Sequence, residues 1–350
     1  MRYEQKKTVN SLAREQYLNN RHHPSPPAQD DELSFMDDTD HQPQELCAEV
    51  SLRRQMLSEV VGTYILVLMG GGAAFVSMYG GISGGKEQGS IVTATPFMWT
   101  VGAMLGIYSA ASISGGHLNP AITLAFCIVR PSAFSPAKVL PYWTAQLVGA
   151  TLASLTLVAL FHQGIVDWEN RNLGAIPSKC QTTMDSGSSL FVFGAKTHVK
   201  GCKVYDQLQL QGMSAFASLW SQLETSDSAN VWHAIFVEAF GTAFVVFVIF
   251  SVTSSSYPIP GPAVPPVVAL ALGATTYLLS PFSGDHLNPA NEVGRRLVGT
   301  LWLVWGRGLN LNTLYSFWLM MWGNALPYVV GPMLGGPLGA WVAEAIQPVY

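Results

Sequence analysis

The sequence predicts an all-α membrane protein: six transmembrane helices plus two re-entrant half-helices, arranged as an inverted repeat. Three observations predict it. Only 11% of the 350 residues are charged, and whole windows hold no Asp, Glu, Lys or Arg, among them Val60–Gly85, Gln88–Val129, Val139–Val166, Ala239–Gly284 and Gly308–Ala343. The octapeptide Ser-Gly-x-His-Leu-Asn-Pro-Ala occurs twice, at Ser114–Ala121 and Ser283–Ala290. A second motif, Glu-x-x-Gly-Thr, precedes each copy, as Glu59–Thr63 and Glu238–Thr242.

The elements follow in chain order. Residues 1–54 form a polar tail whose charge runs from basic (Lys6, Lys7, Arg14) to acidic (Asp30, Asp31, Glu32). It offers little apolar surface to offset the entropy of ordering, so it is expected to be a disordered tail. A membrane domain is assigned to 55–350: a first half over 55–162, a long connection over 163–230, and a second half over 231–346. The charge-poor windows divide into spans at 56–79, 91–111, 139–161, 231–253, 263–282 and 315–343, each about the ~20 residues a bilayer core requires. The cluster Ser254–Pro262 breaks the longest window, because grouped Pro and Gly end helices. The connection is far longer than usual, with strands expected near 190–193 and 198–205.

Two shorter apolar pieces, 119–129 and 288–303, begin at the Asn-Pro of each octapeptide. Asn favours the N-cap and Pro the first helical position, so each octapeptide reads as a loop feeding a helix too short to span. Each half holds three spans. An odd number turns the second half upside down, so the two short helices enter from opposite faces and meet near the midplane. Non-helical backbone at that depth must line a wet cavity or be buried in protein. The carbonyls of 112–116 and 282–285 are expected to supply acceptors along such a cavity.

This geometry selects the candidate site. Asn119 and Asn288 fall at the two helix tips, where side-chain amides and the positive ends of two helix dipoles converge. Such a midpoint repels cations and orients an oxygen. Glu59 and Glu238 are acids inside apolar spans. They serve either as a proton relay or as buried structural acids accepting loop N–H groups, and their equivalence in the repeat favours the second. His117 and His286 sit identically ahead of Leu-Asn-Pro-Ala and read as loop braces rather than metal ligands. Gly62, Gly149 and Gly241 allow close helix approach. No metal spacing, phosphate loop or nucleophile–base pair stands out, so no metal, cofactor, nucleic acid partner or enzymatic activity is expected. The four cysteines make no disulfide framework, and Cys180 with Cys202 is a candidate pair. By charge, Arg53, Arg54, Arg130 and Lys138 share the side of the N-terminus, while Lys86, Arg295, Arg296 and Arg307 lie opposite.

On both Asn-Pro-Ala motifs and both Glu-x-x-Gly-Thr motifs, the chain resembles the major intrinsic proteins, the aquaporin and aquaglyceroporin family, over about 55–344. The resemblance implies six tilted helices, a homotetramer with one pore per subunit, a channel domain over 55–350 with the 163–230 connection extracellular, cytoplasmic termini with the tail 1–54 among them, multi-pass insertion in the plasma membrane, and small neutral solutes as partners. It also implies an outer selectivity filter at Trp99, Thr276, Asp285 and Asn291. Trp99 and Glu292 resemble the glycerol-conducting branch. Asn291 stands where the family usually carries Arg, and Arg295 where it usually carries Pro. Arg295 either leans back toward the pore or Asp285 or pairs with Glu292, three residues earlier on the same half-helix, and the pair is the expectation. The expected function is a passive channel for glycerol and related polyols with some water. The alternatives are a water or hydrogen peroxide channel of the same fold and, further off, a proton-coupled secondary transporter.

Overall fold

A computed structural model describes residues 50–79, 94–173, 231–254, 259–283, 286–301, 322 and 325–347. All belong to one compact unit, Glu49–Tyr350. The expected strands, Cys180, Cys202, Asp285 and the beginning of the last expected span lie outside the described residues.

Eight α-helices are described: α1 (Leu52–Tyr79), α2 (Ala94–Ser114), α3 (Pro120–Val129), α4 (Val139–Leu173), α5 (Val231–Val252), α6 (Val264–Ser283), α7 (Pro289–Leu301) and α8 (Leu326–Ile346). Six of these are long and apolar enough to cross a membrane. The exceptions are α3 and α7, the helices that start at Asn-Pro. Large apolar side chains face outward, such as Leu160 (70% exposed), Trp232 (75%) and Tyr277 (69%), as a lipid-facing surface requires.

Helix starts and stops follow local chemistry. Asn119 caps α3: its Oδ1 accepts from the Ala121 N–H at 2.9 Å, and Pro120 occupies the first turn. Single 3₁₀ turns at Pro136–Lys138 and Gly261–Ala263 lead into α4 and α6. α4 continues to Leu173, beyond the expected end near 161, because polarity ends a span and not a helix.

The packing follows the repeat. In the first half α1 lies along α2 and α4, and in the second half α5 lies along α6 and α8. Each half-helix then packs on a span of the other half, α3 on α8 and α7 on α4. The α5–α8 approach is close enough to exclude side chains. A Cβ on Gly335 or Gly339 would lie 2.0 Å from the carbonyl oxygen of Ala239 or Ala243. Beside this contact, Val246, Ile249 and Phe250 of α5 meet Ala340 and Ala343 of α8 and Ala125 of α3 in one core cluster.

Candidate functional site

The two octapeptide loops meet through reciprocal hydrogen bonds. Asn119 Nδ2 donates to the Leu287 carbonyl at 2.8 Å, and Asn288 Nδ2 donates to the Leu118 carbonyl at 2.9 Å. Asn288 Oδ1 accepts from the Ala290 N–H at 3.0 Å, so each Asn caps its own helix and clamps the opposite loop. Leu118 and Leu287 carry positive φ, 53° and 47°, in the left-handed region that costs a non-glycine residue energy.

The buried acids hold these strained loops. Glu59 is fully buried and accepts from the N–H of His117 (2.9 Å) and of Leu118 (2.7 Å). It also accepts from Ser114 Oγ at 2.6 Å and Gln146 Nε2 at 2.8 Å. Glu238 repeats the pattern with the N–H of His286 (3.1 Å) and Leu287 (2.8 Å) and with Ser283 Oγ (2.7 Å). Each strained Leu thus has its N–H on a buried carboxylate and its carbonyl on the opposite Asn.

A cavity runs past these loops. Trp99, Thr276, His286, Asn119, Asn288, Thr253 and Val264 are among the residues that line it. Between them the wall is largely apolar, with Leu66, Ile107, Val245, Ile249 and Leu272. The indole of Trp99 lies against Gly70, where a Cβ would come 2.1 Å from the ring. Sequence reasoning did not find Gly70, Gln146 or Tyr328, whose ring stacks on His286 at 3.9 Å.

Several expectations change. Ser112–Ser114 and Phe282–Ser283 end α2 and α6 and are not on the cavity wall, so the loop residues on the wall narrow to Gly115–Leu118 and His286–Leu287 among the described residues. The expected pairing of Arg295 with Glu292 is present, with Arg295 Nη2 at 3.2 Å, and Arg296 joins it; all three side chains are buried in α7 rather than set in water. Burial of these charges is tolerable only because they are paired. Asn291 is fully buried, and neither atom of its amide has a hydrogen-bond partner among the described residues. It is absent from the cavity wall. Among the described residues no cluster of His, Cys, Asp and Glu fits a metal ion.

Six spans, two half-helices joined tip to tip and a cavity lined by residues of that contact define a multi-pass membrane protein with a cavity at its core. The major intrinsic protein family model matches residues 47–343, and the chain belongs to that family. It is similar to the glycerol uptake facilitator protein of Haemophilus influenzae, 27% identical over 83% of this chain and 93% of that protein. It is also similar to the propanediol uptake facilitator of Salmonella typhimurium, 28% identical over 86% of this chain and 94% of that one. Among solved structures, the aquaglyceroporin from Plasmodium falciparum matches with a TM-score of 0.57 at 19% identity, covering 85% of this chain and 97% of that chain, a likeness of fold.

Proposed function

We propose that the chain is a passive channel for glycerol and related small polyols, with some water. The observation that carries this reading is the mixed apolar and polar wall of the cavity. Apolar side chains such as Leu66, Val245 and Leu272 suit a carbon skeleton, while Trp99, Thr276, His286 and the paired Asn119 and Asn288 suit hydroxyls. Similarity to uptake facilitators for glycerol and for propanediol supports the same solute class. As a family of channels, the major intrinsic proteins also argue against an enzyme.

Within this reading Asn119 and Asn288 form the pore midpoint. The outer filter is assigned to Trp99, Thr276, Asp285 and Asn291, of which Trp99 and Thr276 belong to the described cavity wall. Glu59 and Glu238 are structural acids, and His117 and His286 brace the loops. Their saturation by loop N–H groups argues against a proton relay, which needs a carboxylate free to exchange its proton. The N-terminal tail 1–54 and the channel domain 55–350 are retained, as is the division at 163–230. With Arg295 and Arg296 removed from the count of loop charges, the basic residues Arg53, Arg54 and Lys138 support cytoplasmic termini. The assembly is a homotetramer in the lipid of the plasma membrane.

Stopped-flow swelling of proteoliposomes with water, glycerol, urea and hydrogen peroxide tests the function. Downhill, weakly saturating glycerol flux above that of empty vesicles is expected. Uptake of water or peroxide without glycerol would transfer the assignment to the water and peroxide alternative.

A further inference from the structure

Two neighbouring staves of the cavity wall come from opposite halves of the chain. α2 supplies Trp99, Ala103 and Ile107, and α6 supplies Val268, Leu272 and Thr276, each row spaced by four residues along one helix face. The two helices pack directly on one another. They run antiparallel, since Thr100 meets Gly273 while Tyr108 Oη donates to the Pro262 carbonyl at 2.7 Å. Trp99 adjoins Thr100, and Thr276 lies three residues beyond Gly273. The Thr100–Gly273 contact therefore falls beside the two wall residues assigned to the outer filter.

This contact leaves no room for a side chain on α6. A Cβ on Gly273 would lie 1.8 Å from Thr100 Oγ1, 3.2 Å from Thr100 Cβ and 3.1 Å from the Pro96 carbonyl oxygen. Thr100 Oγ1 cannot swing aside without loss, because it donates to that same carbonyl at 3.0 Å. Neither Gly273 nor Thr100 belongs to the cavity wall, so their sizes act on a solute only through the distance between the helices. The other contacts decide which helix yields. α2 is seated backbone to backbone on α1: a Cβ on Gly102 would lie 2.8 Å from the Leu66 carbonyl oxygen, and one on Gly106 2.7 Å from that of Gly62. α6 meets Gly241 of α5 through the side chains of Leu279 and Thr275, and it leaves Leu270, Tyr277 and Leu278 exposed on its outer face. A thicker contact at Gly273 moves α6 outward, and parting two neighbouring staves widens the ring they belong to.

We propose that Gly273 and Thr100 form the spacer that sets the width of the outer filter, and with it the cross-section of polyol that the channel admits. The proposal rests on the polyol-channel reading and deepens it. Unbranched polyols such as glycerol enter end-on, while a polyol branched at a quaternary carbon is held back. Gly273 and Thr100 are positioning residues that act through the separation of Trp99 from Thr276.

Swelling rates of proteoliposomes of the full chain, with the rate of empty vesicles subtracted, decide it for glycerol, erythritol and pentaerythritol. Erythritol lengthens the carbon chain without branching it, whereas pentaerythritol carries all its hydroxymethyl arms on one carbon. In Gly273→Ala the pentaerythritol-to-glycerol ratio should rise roughly tenfold from a low value, the discrimination that one methyl group of fit supports. The erythritol-to-glycerol ratio should change far less. Adding Thr100→Ala to Gly273→Ala removes the oxygen that the new methyl group meets, and should return the ratio most of the way, as a general loosening of the fold would not. A pentaerythritol ratio that stays put, rates for all three solutes that change in proportion, or a rise that the second substitution does not reverse overturns the proposal. If Gly273→Ala does not run as a folded species on size exclusion, Thr100→Ile, which thickens the same contact from the α2 side, carries the same test. If the unaltered protein passes neither glycerol nor erythritol, the polyol reading itself fails, and that is visible before any variant is measured.

Discussion

Gly70 is the residue on which the width of the candidate pore depends most directly. The Trp99 ring occupies the space that a side chain at Gly70 would need. The indole is too large to yield by a few tenths of an ångström, so a Gly70→Ala substitution moves it toward the cavity it lines. Glycerol flux should fall several-fold with less loss of water flux, because the larger solute meets the narrowing first. Swelling rates for the two in the same vesicles decide it, and an unchanged ratio would mean that Trp99 does not set the width. Asn291 poses the opposite case. Its amide is buried and has no partner among the described residues, and a buried unpartnered polar group costs roughly 1–3 kcal/mol. In an Asn291→Arg variant the longer side chain reaches from α7 to the wall, narrowing the filter and making it more positive. Flux of glycerol and urea should drop. Permeability unchanged for every solute would show that position 291 has no access to the pore.

At the scale of elements, the loops are held by acids rather than by their own turns. Glu59 accepts four donors, two of them backbone N–H groups, and Glu238 accepts three. A Gln at either position places an NH₂ where a carboxylate oxygen accepted, leaving at least one loop N–H without an acceptor, at a cost of roughly 1–3 kcal/mol. Glu59→Gln and Glu238→Gln should each lower the apparent unfolding temperature in detergent. A proton-coupled carrier would instead keep its stability and lose its response to a pH gradient, so the two measurements separate the roles. The elements themselves were legible because their signals are local. An absence of charge marks a span, and Asn-Pro marks the start of α3 and α7. The contacts of Gln146 with Glu59 and of Tyr328 with His286 were not legible, since nothing near either residue says which distant helix it will meet. The pairing of Arg295 with Glu292 was legible in the same local way, since a spacing of three residues puts both on one helical face. That Arg296 joins the pair, and that all three side chains are buried, was not, because charge ordinarily means water.

For the whole molecule, the decisive fact is that neither half closes its own pore. α3 of the first half packs on α8, and α7 of the second half packs on α4. The Asn119–Leu287 and Asn288–Leu118 hydrogen bonds cross between halves. The cavity wall alternates between them as well, Trp99 and Leu66 from one, Thr276 and Val245 from the other. A half expressed alone would expose the face of its short helix and leave a polar, positively φ-strained loop in lipid, where its carbonyl has no water to replace the missing Asn. Residues 1–173 or 231–350 expressed singly should therefore carry no glycerol above background. Expressed together, they should restore uptake, since the contacts that build the pore lie between helices rather than in the 163–230 connection. Labelled-glycerol uptake in cells without a pathway of their own measures this. Conduction by one half alone would mean that the pore is not shared, and the inverted repeat would then be two pores rather than one.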